Sequence, residues 1–217
     1  MAGFTRENIL DTDIYCLTGE KFSLGRSNVE VVGQMLDAGV RLIQYREKTK
    51  KAGAKLEECR AIREMTREAG AAFIVNDDID IAILVGADGV HVGQEDLPIE
   101  EVRRLVGPDM AIGLSTHTRE QALDAARRGA DYLGVGPIFK TNTKEDVADP
   151  VGLDHLEYVA GNLDVPFVAI GGIKEHNIGE VVKRGARCVA LITEIVGETD
   201  IKGKIAALRN AIEAAKE

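Results

Sequence analysis

A short stretch near the middle of the chain concentrates groups that can bind an anion. Residues 132–135 are mostly apolar and lead through a Gly-Pro turn into the polar segment 139–144. That segment carries two hydroxyls and two ammonium groups, those of Lys140, Thr141, Thr143 and Lys144. Such donors suit phosphate oxygens. The alternative is an ordinary solvated polar loop.

The end of the second predicted strand offers two cations and an amide. Alternation along a strand directs Gln44, Arg46 and Lys48 to one side and sends Tyr45 and Glu47 to the other. The three polar side chains can therefore converge on one ligand. The alternative is a solvated basic turn whose charge Glu47 balances.

Carboxylates follow the next two predicted strands. Asp77 and Asp78 come directly after Asn76, and Asp96 lies four residues beyond the strand 89–92. Carboxylates at neighbouring parallel strand ends can approach one cation, and Mg²⁺ usually takes only one or two of them. Asp78 and Asp96 can instead cap the helices that follow. We assign Asp78 to capping, which leaves Asp77 and Asp96 as candidate metal ligands.

Further polar groups and glycines follow later strands. Thr118 can cap the next helix, which leaves Ser115 to face the same end of the sheet. We interpret His117 as a local hydrogen-bonding residue rather than an acid or base. Gly171 and Gly172 would let backbone amides approach a ligand closely.

The elements that must position these groups alternate from end to end of the chain. The predicted strands are 14–17, 40–44, 73–76, 89–92, 112–114, 132–135, 167–170 and 188–192. The predicted helices are 28–37, 54–69, 79–84, 99–105, 119–128, 153–160, 175–183 and 202–215. Eight alternating pairs favour a closed α/β barrel of the (β/α)8, or TIM barrel, type over a doubly wound open sheet. The carboxyl ends of barrel strands carry the active groups, and the polar residues described above fall there.

Length and composition limit the remaining possibilities. We predict a single barrel domain over 1–217, with 1–12 as an N-terminal extension, because such barrels reach roughly 200–250 residues. A net charge of −9 argues against nucleic acid as a partner. The absence of long apolar runs argues against a membrane span, and the N-terminal residues lack the pattern of a secretory signal. We therefore expect a cytoplasmic enzyme that acts on small molecules and is either a monomer or a homo-oligomer.

The motifs at the predicted strand ends resemble those of the thiamine-phosphate synthase family. The matching segments occur in the family's order and are 44–48, 76–78, 88–96, 115–118, 134–144 and 169–173. The resemblance implies a (β/α)8 barrel that joins hydroxymethylpyrimidine diphosphate to hydroxyethylthiazole phosphate. It also implies Mg²⁺ as cofactor and release of pyrophosphate through a dissociative, carbocation-like step, with no protein nucleophile.

The resemblance assigns a role to each matching residue. Arg46, Lys48, Asn76 and Lys144 would hold the pyrophosphate, with Asp77 and Asp96 on Mg²⁺. Gln44 would address the aminopyrimidine and Ser115 would lie beside the reacting carbon, so Ser115, Lys144 and Arg46 are the candidate catalytic residues. The expected ligands of the thiazole phosphate are Thr141, Thr143, Gly172, Ile192 and Thr193.

Three departures from the family pattern bear on these assignments. Tyr45 stands where Leu is frequent, Lys140 where Pro is common, and Thr193-Glu194 where a Ser-Ala pair is usual. Glu194 would bring a negative charge near the expected dianion, which is tolerable only if its side chain points away. Two alternatives are a thiazole tautomerase, which would use His117, and a non-catalytic barrel that binds a phosphate ligand.

Overall fold

Eight parallel strands close into a barrel in the computed structural model, which describes residues 4–143 and 148–216. Each strand pairs with the next along the chain, and the last pairs with the first. The strands are β1 Ile14–Leu17, β2 Leu42–Tyr45, β3 Ala72–Asn76, β4 Gly89–Val92, β5 Ala111–Thr116, β6 Tyr132–Val135, β7 Phe167–Ile170 and β8 Val189–Leu191. The predicted single-domain (β/α)8 barrel is confirmed, and the open-sheet alternative is wrong.

Helices surround the barrel between successive strands. They are α1 Asn28–Asp37, α2 Ala52–Ala69, α3 Ile79–Val85, α4 Ile99–Val106, α5 Arg119–Arg128, α6 Gly152–Asn162, α7 Ile178–Lys183, α8 Thr193–Val196 and α9 Ile201–Ala214. A 3₁₀ turn, Glu20–Phe22, follows β1. The sequence predicted eight helices, and the described part of the chain has nine α-helices. The addition, α8, is four residues long and too short to show a helical period in the sequence.

Several helices end at a glycine in the left-handed conformation shortly before the next strand begins. At the end of α5, Gly129 adopts φ 88°, and the amide of Ala130 donates to the carbonyl of Ala125 over 3.1 Å. A left-handed glycine at this position ends a helix and satisfies its last carbonyls. The chain then enters β6 within two residues.

The barrel interior is filled by large side chains that face glycines. An added Cβ at Gly113 would lie 2.2 Å from the ring of Tyr132 and 2.4 Å from Nδ1 of His91. An added Cβ at Gly134 would lie 3.1 Å from the His91 ring. The two glycines therefore make the space that a tyrosine and a histidine occupy inside the barrel.

The N-terminal segment lies across the end of the barrel where the strands begin. Arg6 donates to the carbonyl of Pro108 over 3.0 Å and pairs with Asp131 at 2.7 Å, while Arg41 stacks on the ring of Phe4. Ile9 is fully buried. The opposite end of the barrel, where the strands finish, is left open. Across the described residues, every helix is too short or too polar to cross a membrane.

Candidate active site

A cavity of about 980 Å³ opens at the carboxyl ends of the strands. Most of the residues selected from the sequence line it: Gln44, Arg46, Lys48, Asn76, Asp96, Ser115, Thr141, Thr143, Gly172, Ile192 and Thr193. Asp77 does not line the cavity. Lys144 lies outside the described residues. Lys140 also borders the cavity, at its exposed rim.

The end of β2 delivers Gln44 and Arg46 to the cavity. Gln44 is buried, and its Nε2 donates to the hydroxyl of Tyr15 over 2.8 Å. The backbone at Arg46 is fixed by buried Thr18, whose Oγ1 accepts from the Arg46 amide at 2.8 Å and donates to the Arg46 carbonyl at 3.2 Å. Burial lowers the pKa of Arg46, and the nearby Asp77 and Glu47 oppose that effect. A guanidinium partly removed from water is a strong partner for an anion.

The alternate residues of the same segment face away from the cavity and hold it in place. The hydroxyl of Tyr45 donates to Glu58 over 2.7 Å. Nδ2 of Asn28 lies within reach of both Glu47 and Glu58, at 3.3 and 3.1 Å. Lys50 pairs with Glu58 at 2.5 Å and also with Glu20. This cluster behind β2 fastens the loop that carries Arg46 and Lys48.

Asp77 has an unusual backbone and is already paired. Its φ is 62°, in the left-handed region where Asp and Asn are tolerated better than other residues with a side chain. Its amide donates to the carbonyl of His91 over 2.9 Å. Its carboxylate forms an ion pair with Lys48. Lys48 and Asp77, both expected at the diphosphate site, are therefore paired with each other in this structure.

Neither Asp78 nor Asp96 caps a helix with its side chain, so the assignment of Asp78 to capping is wrong. Asp78 occupies the position before α3 but caps no amide with its side chain, and instead pairs with Lys55 at 2.7 Å. Asp96 does not cap α4 either, because its carboxylate accepts from the amide of Gly93 at 2.6 Å. Asp96 remains exposed at the cavity wall.

The acidic groups do not build a closed metal cage. Within residues 4–143 and 148–216, three His, Cys, Asp or Glu side chains nowhere gather in a way that could hold a metal ion. Asp77 and Asp96 follow the paired strands β3 and β4. Two carboxylates at one edge fit a Mg²⁺ ion that completes its shell with water and substrate phosphate.

A chain of hydrogen-bonding groups crosses the barrel beneath the cavity. Oγ of Ser115 lies 2.9 Å from Nε2 of His91, and Nδ1 of His91 lies 3.0 Å from the hydroxyl of Tyr132. The Tyr132 hydroxyl lies 3.1 Å from that of Tyr15, which accepts from Gln44. Burial raises the pKa of both tyrosines well above the ordinary value, so both hydroxyls keep their protons.

The three middle groups of this hydrogen-bonded chain were not selected from the sequence. Tyr15, His91 and Tyr132 sit within strands rather than after them. The signal was present in β4, where His91 is the polar residue between Val90 and Val92. Alternation there directs both valines to the side opposite the histidine, which places His91 inside the barrel.

His117 makes a local contact, as interpreted from the sequence. Its Nδ1 lies 2.5 Å from the carbonyl of Gly136. Thr118 accepts from the amide of Gln121 at 3.2 Å, which confirms its capping role. The Gln121 side chain accepts from the amide of His117 and so completes the turn.

The loop after β6 is held against the glycine pair after β7. The amides of Ile138 and Phe139 donate to the carbonyls of Ile170 and Gly171, each over 2.9 Å. A Cβ at Gly172 would lie 2.7 Å from the carbonyl oxygen of Lys140. Close backbone approach therefore requires glycine here, and it brings Thr141 and Thr143, whose hydroxyls are 3.0 Å apart, to the cavity.

The short helix α8 completes the wall after β8. Ile192 is buried just before it, and Thr193 is its first residue. Glu194 follows and pairs with Lys174 at 2.9 Å. Lys174 and Glu194 both line the cavity, although the sequence assigned Lys174 no role.

Comparisons with known proteins agree on one family. A family model described as thiamine monophosphate synthase matches residues 14–195. A thiamine-phosphate synthase from Pelotomaculum thermopropionicum is 63% identical over 204 residues, covering 94% of each chain. The one from Lawsonia intracellularis is 53% identical over 203 residues, again covering 94% of each chain. The solved structure of thiamine phosphate pyrophosphorylase from Pyrococcus furiosus matches with a TM-score of 0.87 at 36% identity, covering 97% of this chain and 99% of that one.

Proposed function

Because the chain belongs to the thiamine-phosphate synthase family, we propose that it joins 4-amino-2-methyl-5-hydroxymethylpyrimidine diphosphate to hydroxyethylthiazole phosphate. The products are thiamine phosphate and pyrophosphate. One observation carries the proposal: groups that can bind anions line a single cavity from two different parts of the barrel. Arg46, Lys48 and Asn76 lie at the ends of β2 and β3, whereas the hydroxyls and the glycine come from the loops after β6, β7 and β8.

The reaction requires the protein to stabilise charge and does not require a nucleophile from the protein. The thiazole nitrogen forms a bond to the methylene carbon of the pyrimidine, and the bond from that carbon to the diphosphate oxygen breaks. The electron pair of the broken bond leaves with pyrophosphate. Positive charge fixed beside the departing group lowers the barrier, because negative charge grows there in the transition state. We assign this role to Arg46, Lys48 and Asn76, which line the cavity, and to Lys144 from the sequence.

The interior chain supplies the second part of the mechanism. Gln44 faces the cavity from its floor and would orient the aminopyrimidine, whose electrons stabilise the methylene carbon as the bond breaks. Ser115 lies at the other end of this series of hydrogen bonds, next to His91, and lines the cavity. We propose that its hydroxyl donates to the oxygen that leaves. Substrates that fill the cavity would displace water, which would otherwise capture the carbocation.

The cofactor proposal rests on the chemistry of the donors. Asp77 and Asp96 would hold Mg²⁺ together with the diphosphate, which supplies its remaining oxygens. When bound, Mg²⁺ adds positive charge at the diphosphate. Lys48 pairs with Asp77 in this structure, and its ammonium group would bind the diphosphate in the loaded site.

Assay of thiamine phosphate formation from the two purified substrates, with and without Mg²⁺, tests the proposed function directly. We expect product and pyrophosphate in equal amounts, and only with Mg²⁺. Arg46→Ala serves as the active-site control. Binding of both substrates without product would instead support a binding barrel, and product formation independent of Mg²⁺ would contradict the cofactor assignment.

A further inference from the structure

A carboxylate lies in the part of the cavity where a phosphate is expected. Glu194 is the second residue of α8, lines the cavity, and has a side chain only 12% exposed. A buried carboxylate there would repel a phosphate dianion unless its own charge were compensated. The contacts of Glu194 therefore decide whether this corner accepts an anion.

Two lysines compensate Glu194, and they use different oxygens. Lys174 Nζ lies 2.9 Å from Oε2, whereas Lys204 Nζ lies 3.4 Å from Oε1. Oε1 also accepts from the amide of Glu175 at 3.2 Å. Burial opposes ionisation of Glu194, but these partners outweigh it and lower its pKa, so the group is a carboxylate at neutral pH. Loss of Lys174 would leave both partners of Oε1 in place.

Lys174 is built into the same turn as Gly172. Its amide donates to Oδ1 of Asn177 over 2.7 Å, and Nδ2 of Asn177 donates to the carbonyl of Gly172 over 3.2 Å. The Lys174 side chain is 38% exposed and lines the cavity. The lysine thus starts from a fixed backbone beside the glycine and can reach the cavity with its ammonium group.

We propose that Lys174 binds the phosphate of the thiazole substrate, and that Glu194 holds Lys174 at this corner while the site is empty. The inference rests on the proposed function and adds a ligand to its second anion site. Arrival of the phosphate exchanges one ion-pair partner of Lys174 for another. After the exchange Lys204 still contacts Oε1 of Glu194, while it also pairs with Glu175 at 3.0 Å and with Glu198 at 3.6 Å. Glu194 therefore keeps a cationic partner beside the dianion.

Steady-state kinetics with both substrates tests this assignment. A charge-assisted hydrogen bond to phosphate contributes enough that Lys174→Met should raise the KM for thiazole phosphate about tenfold. The KM for pyrimidine diphosphate should stay unchanged, and Lys174→Arg should restore most of the lost affinity. Glu194→Gln should shift the same KM in the opposite direction, to roughly a third, because it removes the competing partner.

The matched control is Lys183→Met, an exposed lysine on α7 that does not line the cavity. It should behave as the unsubstituted protein does. An unchanged KM for thiazole phosphate in Lys174→Met, or an equal rise for both substrates, would overturn the assignment. If the unsubstituted protein and Lys183→Met formed no thiamine phosphate, the proposed function itself would fail instead.

Discussion

Oγ of Ser115 and Nε2 of His91 lie 2.9 Å apart at the floor of the cavity. The location of Ser115 at the cavity could be predicted from its position near the end of a strand. His91 lies one pleat deeper, in the neighbouring strand. His91 is itself held by Tyr132, so the direction of the serine hydroxyl depends on a tyrosine that does not line the cavity. The proposed catalytic hydroxyl of Ser115, oriented in this way, should respond to substitutions at a distance from the cavity.

Tyr132→Phe removes the hydroxyl that joins His91 to Tyr15. We expect turnover to fall roughly tenfold, because the loss of a buried hydrogen bond costs about 1–3 kcal/mol and weakens the hold on the His91 ring that orients Ser115. Substrate KM values should change little, since Tyr132 does not line the cavity. The matched control is Tyr158→Phe, whose ring lies on α6 beneath Arg119. Wild-type turnover in Tyr132→Phe would contradict the positioning role of this chain.

Replacement of the proposed metal ligands Asp77 and Asp96 by asparagine should remove a charged contact and leave the fold intact. Asn is the suitable replacement at position 77, because φ 62° is tolerated by Asn as it is by Asp. We expect Asp77→Asn and Asp96→Asn each to lower turnover at least about a hundredfold, since one contact to a developing oxyanion is worth roughly 3 kcal/mol. Titration with Mg²⁺ at fixed substrate is the measurement.

Asp78→Asn is the control for both aspartates, because Asp78 pairs with Lys55 and does not line the cavity. Its turnover and Mg²⁺ requirement should match those of the unsubstituted protein. Full activity of Asp77→Asn or Asp96→Asn at limiting Mg²⁺ would remove that residue from the metal site.

The sequence predicted the architecture because each strand end carries a local signal. Short strand-like runs that alternate with helical patterns predicted all eight strands, with shifts of one or two residues at some ends, as in β2 at Leu42–Tyr45. Residues that follow the predicted strands directly or closely, such as Arg46 and Ser115, were expected at the cavity because parallel strands share one open end, and both line it. Local alternation and topology suffice for such positions.

Other features depend on contacts between distant parts of the chain. The partner of Asp78 is Lys55, and the partner of Glu194 is Lys174, and neither spacing is visible as a pattern. The cap assigned to Asp78 was wrong because an ammonium group on α2 competes with the amides of α3 for its carboxylate. Ion pairs between neighbouring β/α units of the barrel can be identified only from the three-dimensional structure.

Gly172→Ala should damage the second anion site. The residue has φ 66°, which costs an alanine about 1–2 kcal/mol, and the new methyl group would lie 2.7 Å from the carbonyl oxygen of Lys140. We expect the loop that carries Thr141 to move and the KM for thiazole phosphate to rise at least about tenfold. Gly161→Ala is the same change at a helical site with open space and should leave kinetics unaltered. Unchanged kinetics in both variants would contradict the close approach at Gly172.

Glu58→Gln tests the cluster that fastens the β2 loop through its dependence on pH. Burial opposes ionisation of Glu58, but hydrogen bonds from Lys50, Asn28 and Tyr45 outweigh it and lower its pKa below the ordinary 4.5. A carboxyl with a lowered pKa in the folded state stabilises the fold above about pH 4.5 and loses that contribution as the pH falls further. The unsubstituted protein should therefore melt at a higher temperature than Glu58→Gln near neutral pH, and the difference should shrink below pH 4.5.

The control is Glu57→Gln, which is exposed on the same helix and should keep the melting temperature of the unsubstituted protein throughout. A difference in melting temperature that stayed constant across the acid range would show that the charge of Glu58 does not stabilise the fold.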